Sequence, residues 1–251
     1  MRMRATLGVV TGALALSALA VPAAQADGSQ GDTAITKVAV NITNKVYVGT
    51  TAVKFKVAVT ATDNSGILGA DEFDLYGPNY GLLTTSKPTC TASSATTSTC
   101  VGWVTVDPRV GDLFNNNSGT WYVDAWIDAK DGDYLWKEKA GAFKLQRATK
   151  VSTNAAPEPV RKGKTVTVTG KLTRANWETG VWNGYGSQYV KLQYKKAGTN
   201  TYSTLKTVKA TTTGALSTTT TATYDGYYRF WFAGNSVSAP TPSAADYVDV
   251  Q

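Results

Sequence analysis

Histidine is absent from all 251 residues. That removes the commonest general base and the commonest zinc ligand. The chain also lacks G-x-S-x-G, H-E-x-x-H and a P-loop. A glycosidase would need two carboxylates flanking a cleft, roughly 5–10 Å apart, and clustered loop acids more often solvate or bind metal. These absences point away from an enzyme. Cysteine is scarce: Cys90 and Cys100 are the only two. In an exported protein an even count reads as a disulfide. The loop closed is short, so the bond adds at most about 3 kcal/mol. The intervening TASSATTST has no strong structural signal, so the bond is expected to pin a mobile loop. No convincing helix lies outside the first 26 residues.

Those first residues read as a secretory leader. Arg2 and Arg4 form a positive start, Leu7 to Ala20 is apolar, and Ala24-Gln25-Ala26 fits a small-x-small cleavage site before Asp27. The apolar run is too short and alanine-rich for a good membrane span, which needs about 20 residues. The mature protein is expected to have no membrane span and to be secreted.

What remains is rich in Thr, Val, Tyr, Trp and Gly, which suits strands and turns. In VKFKVAVTATD (53 to 63), Phe55, Val57, Val59 and Ala61 face one way, and Lys54, Lys56, Thr60 and Thr62 the other. GTWYVDAWIDAK alternates likewise through Trp121, Val123, Ala125 and Ile127. TVTVTGKL, QYVKLQY and DGYYRFWF continue the pattern. The expected fold is all-β: two tandem immunoglobulin-like β-sandwiches, residues 27–147 and 161–251, joined by a linker at 148–160 carrying Pro157 and Pro159. Tyr228 and Phe230 match the places of a tyrosine corner. Charge divides at the linker. Residues 27–147 hold 11 Lys and Arg against 13 Asp and Glu, net −2; residues 148–251 hold 12 against 5, net +7. Acidic extracellular polymers suit the second half. No recognised motif points to nucleic acid.

If 53–63 is strand B and 119–130 strand F, the loops that follow them lie at one end of the sandwich. Asp63 and Asn64 open the first; Asp128, Asp131 and Asp133 surround the second. Asp63 has core parity, so its carboxylate needs donors or a cation. A hard dication takes about 6 to 8 oxygens, and such loops can supply them. The same residues also read as turns. Asp63-Asn64-Ser65-Gly66 suits an Asx-turn, and Asp131-Gly132 a two-residue type I′ hairpin. An EF-hand is ruled out. From Asp128, its third position falls on Lys130 and its twelfth on Lys139.

ATDNSGI, the Cys90–Cys100 loop, GTWYVDAWIDAKDGDY, NAAPEPVRKGKTVTVTGKLTRANWE and DGYYRFWFAG resemble secreted actinobacterial proteins with two immunoglobulin-like domains, often labelled calcium-binding. The resemblance covers nearly all of the mature chain and implies calcium at the acidic end of the first domain. It implies no catalytic residues. A second reading comes from NWETGVWNGYGSQY (176 to 189). Trp177, Trp182 and Tyr185 sit in an expected B–C loop and could stack on sugar rings, making the second domain a carbohydrate or cell-wall adhesion module. Alternatively the rings fold back as a small satellite core.

Overall fold

The computed structural model describes residues 27–251, so the leader expected at 1–26 lies outside the described residues. Strands dominate. The first eleven are β1 (Gly28–Gln30), β2 (Ala34–Val40), β3 (Lys45–Val48), β4 (Val53–Thr62), β5 (Ile67–Ala70), β6 (Asp74–Tyr76), β7 (Leu82–Thr84), β8 (Thr89–Ala92), β9 (Thr97–Val106), β10 (Gly119–Ala129) and β11 (Tyr134–Arg147). They form a four-stranded sheet ordered β2-β4-β9-β8 and a seven-stranded sheet built on β1-β11-β10-β6-β7. Period-two alternation decides which residues meet between them. Phe55, Val57, Val59 and Ala61 of β4 are buried, as are Trp121, Val123, Ala125 and Ile127 of β10. Phe143 of β11 bridges the layers, its ring 6.0 Å from Phe55 and 6.2 Å from Trp121.

The next ten strands are β12 (Thr149–Val151), β13 (Asn154–Ala156), β14 (Thr165–Asn176), β15 (Val181–Gly184), β16 (Tyr189–Lys196), β17 (Ser203–Lys209), β18 (Ala215–Thr221), β19 (Gly226–Phe232), β20 (Thr241–Pro242) and β21 (Asp246–Val248). One sheet gathers β12, β13, β15 and β18 on β14; the other runs β17-β16-β19-β20, with β21 also on β19. Val166, Val168 and Leu172 of the first face Val190, Leu192, Tyr228 and Phe230 of the second in a separate core. The molecule is thus all-β, made of sheets packed as sandwiches, their strands paired antiparallel throughout except where β3 joins β11 in parallel.

Six of the thirteen residues in the expected linker, 148–160, are strand: β12 and β13 both pair with β14. Its small side chains hid an edge strand, with Thr149 and Ala155 turned inward. The Cys90–Cys100 bond is formed, and it does not pin a mobile loop. The two cysteines stand directly opposite on β8 and β9, and Thr89–Ala92 pairs residue by residue with β9. The tyrosine corner is also shifted. Tyr228 is buried, but the hydroxyl that donates to the backbone belongs to its cross-strand neighbour Tyr194, which reaches the carbonyls of Tyr224 (2.8 Å) and Asp225 (3.1 Å).

The two cores meet at a specific plug. Trp177, just past the end of β14, is 1% exposed and packs with the first sandwich's core. Its indole Nε1 donates to the carbonyl of Val48 at 3.1 Å. Around it, Asn115 donates to Asn176 Oδ1 and Glu178, and accepts from the Trp177 N–H. Arg147, at the end of β11, donates through Nε to Ala175 O at 2.7 Å. Burial, and then the neighbouring Arg174, lower the Arg147 guanidinium to about 10.

Candidate functional site

β4 and β10 end at the same edge of the first sandwich. The Lys130 N–H donates to Gly66 O (3.0 Å) and the Asp131 N–H to Ser65 Oγ (3.3 Å), which ties the two following loops together. Asp63 continues β4's inward parity and is 3% exposed. One carboxylate oxygen accepts from the Ser65 N–H (2.8 Å) and hydroxyl (2.6 Å); the other accepts from Thr33 Oγ1 (2.7 Å). The expected Asx-turn is therefore present. The Ser65 hydroxyl bond is the largest influence on the Asp63 carboxyl. With further help from Thr33, the Ser65 N–H and Asp32, it outweighs burial and holds the pKa below the ordinary value.

Two more carboxylates converge on Asp63. Asp32, in the β1–β2 turn, and Asp133, at the foot of β11, each bring an oxygen so that the three lie within 4.8 Å of one another. The Asp32 N–H donates to Asp133 Oδ2 at 3.2 Å, and Asn64 Nδ2 donates to Asp32 Oδ2 at 3.0 Å. Gly31 makes this approach possible. Its φ is +78°, and a β-carbon there would stand 1.5 Å from Asp133 Oδ2.

The residues singled out from sequence therefore divide. Asp63 and Asp133 reach the cluster, and Asn64 supports its rim. Asp128 does not: it lies on the outer face of β10 and accepts from Trp126 Nε1 at 2.8 Å. Nor does Asp131, whose carboxylate accepts the Asp133 N–H at 3.2 Å within its own turn. That turn is not type I′. The Ala129 N–H donates to Asp133 O and the Gly132 N–H to Ala129 O, closing a three-residue loop in which Gly132 alone takes positive φ (+95°). The longer loop carries Asp131 outward and drops Asp133 toward Asp63. Asp32 was missed because β1 is three polar residues long, too short and unpatterned to reveal the turn after it.

The donor set is all oxygen, with no nitrogen or sulfur ligand, which suits a hard cation. Asp63 uses three of about four carboxylate acceptor positions. Among the described residues, Asp32 Oδ1 and Asp133 Oδ1 accept no hydrogen bond. Three carboxylates close enough to hold a metal ion are thus in place.

The aromatic stretch of the second sandwich is not an exposed platform. It is a hairpin of β14 and β15, and Trp177 is the buried plug described above, out of reach of any sugar. Trp182 is half-buried, packed on the first core, with Lys150 Nζ 3.9 Å from its ring centre. Tyr185 lies under Arg174 at 4.0 Å, and its hydroxyl accepts from Asn235 Nδ2 at 2.8 Å. Large rings beside a neighbouring core found burial, with cations covering what was left.

No family model matches the chain, and no curated protein does. Solved structures with some likeness include fibronectin(III)-like modules of CbhA from Clostridium thermocellum, at 10% identity and TM-score 0.36, covering 85% of this chain and 93% of that one. Another is a DUF4785 family protein from Legionella pneumophila, at 14% identity and TM-score 0.40, covering 77% of this chain and 51% of that one. Against the latter the chain spans about half the relative's length. Bovine butyrophilin aligns at 5% identity and TM-score 0.36, over 82% and 94% of the two chains. At such scores none bears on ligand or activity.

Proposed function

We propose that this is a secreted, non-enzymatic β-sandwich protein that binds calcium at the acidic end of its first sandwich. The observation that carries the reading is the convergence of Asp32, Asp63 and Asp133 from three separate turns. Calcium, rather than the smaller and more demanding magnesium, suits carboxylates on loops of adjustable geometry. Asp63 is the fixed point, held by Thr33 and Ser65. Asp32 and Asp133 supply the free oxygens. A cation there ties the β1–β2 turn to the two loops after β4 and β10, and relieves repulsion among three like charges. The resemblance to secreted proteins labelled calcium-binding points the same way. The Cys90–Cys100 disulfide suits an oxidising compartment, and no helix among the described residues is long and apolar enough to cross a membrane.

Calorimetry on chelator-treated protein tests the reading. Calcium at millimolar concentration is expected to bind and to raise the melting temperature. Asp32→Asn combined with Asp133→Asn should remove both effects while leaving the fold intact, because Asn keeps the shape and most hydrogen bonds. No heat and no thermal shift in the wild type would overturn it. A larger shift with magnesium would reassign the ion.

A further inference from the structure

The outer face of the β17-β16-β19 sheet carries cations and no carboxylate. The three strands read STLKTVK, YVKLQYKK and GYYRFWF, without a single Asp or Glu. Tyr228, Phe230 and Phe232 point into the core, so Tyr227, Arg229 and Trp231 point out. Cross-strand register sets them beside outward residues of β16: Trp231 opposite Lys191, Arg229 opposite Gln193, and Tyr227 opposite Lys195. On the far side Tyr189 stands opposite Lys209, and Tyr247 of β21 flanks Tyr227.

Each of these cations is held over a ring. Lys191 Nζ lies 5.1 Å from the Trp231 ring centre, Lys195 lies 4.5 Å from Tyr227, and Arg229 lies 3.6 Å from Tyr202. Lys209 lies 5.9 Å from Tyr189. Arg229 Nε also donates to Gln193 Oε1 at 2.8 Å. Flexible cationic side chains are thereby fixed in an ordered array, so less rotamer freedom is lost when a ligand arrives. Strands lie about 4.8 Å apart and alternate residues about 6.7 Å along each strand, so the charges are spaced on the scale of a polymer repeat. The chain's basic excess also lies in this half, whose acids number 5 against 12 cations. The carboxylates nearest the face, Asp225 and Asp249, stand at its margin beside Tyr247.

We infer that this face binds an extended anionic polysaccharide, with Lys191, Lys195, Lys209 and Arg229 pairing its acidic groups. Tyr189, Lys191 and Lys209 are exposed on the outward side of the sheet, which suits a chain lying across it. Charge complementarity names the partner. Single-stranded nucleic acid fits less well, because bases need bare aromatic faces on which to stack, and Trp231, Tyr227 and Tyr202 each already carry a cation over the ring. The site is separate from the acidic end of the first sandwich and does not depend on calcium there.

The test uses the full mature chain and polygalacturonate as probe, at low salt, by calorimetry or retention on the immobilised polymer. Neutral dextran serves as blank. The wild type should bind polygalacturonate and weaken steeply with added salt. Lys191→Gln, Lys195→Gln and Arg229→Gln together should weaken binding at least tenfold and flatten the salt dependence. A control triple, Arg161→Gln, Lys164→Gln and Lys171→Gln, removes the same charge from elsewhere in the second half and should bind nearly as wild type. Melting temperatures verify that each variant folds; if the face triple melts early, Lys191→Gln alone should still lose about threefold. No binding by the wild type overturns the inference, as does equal weakening by the two triples. Tighter binding of single-stranded DNA than of polygalacturonate would overturn the choice of partner.

Discussion

Asp63 shows how one side chain serves two purposes. It closes its own Asx-turn through Ser65 and anchors a carboxylate cluster through Thr33 and Asp32. Its lowered pKa fixes a sign. A carboxyl that is more acidic folded than unfolded contributes stability above the unfolded value, about 3.9, and that stability is lost as pH falls through the lower folded value. Asp63→Ala should cost about 2–3 kcal/mol at neutral pH, because buried donors on Thr33 and Ser65 lose their acceptor. That difference from wild type should shrink as pH falls below about 4, read in urea melts. Asp63 was legible from parity alone, since it continues the inward row of β4. Asp128 has the outward parity of β10 and was drawn toward the site only by its nearness in sequence. Asp32 was illegible because nothing local marks a three-residue strand of Gly, Ser and Gln.

At the scale of elements, alternation carried most of the fold, and turns and edges carried the errors. The interior strands β4, β10, β14 and β19 declare themselves because one row is apolar and the other is not. Edge segments such as β12 and β13 pair on one side only and bury single small residues, so their composition reads as linker. Sheets also tolerate local conflict. Asp124 of β10 stands opposite Asp74 of β6, an unfavourable like-charge pair. Across β10's other edge the strand bulges, with Lys139 at φ +50° and its N–H donating to Asp124 Oδ1 at 2.7 Å. Burial first, and Asp74 after it, raise the Asp124 carboxyl. A raised folded pKa destabilises the protein above it, and the penalty fades as pH falls. Asp124→Asn keeps the acceptor for Lys139 and removes the charge. It should stabilise the protein at pH 7 and make no difference near pH 3, read as paired thermal melts.

At the scale of the whole molecule, the decisive residue is Trp177. From sequence it belonged to an aromatic stretch that could face a sugar or fold back locally. It does neither, because it fills the core of the other sandwich. No pattern within 176–189 reveals that a distant core has room for it. Trp177→Ala should cost about 3–5 kcal/mol and do so at the junction. In differential scanning calorimetry the wild type is expected to melt in one transition and the variant in two, as the sandwiches lose their coupling. Retention of a single transition at an unchanged temperature would show that the plug does not couple them. The division of charge belongs to this scale as well. The Trp177 plug joins the half that carries the acidic end to the half that carries the basic face.

The plug also sets an order of events during synthesis. Trp177 follows the last strand of the first sandwich by about thirty residues, and a chain is made from its N-terminus onward. Until that tryptophan emerges, the core of the first sandwich lacks one of its largest buried side chains. The first sandwich is therefore finished by the second: its core closes only once a residue that follows β14 has been made.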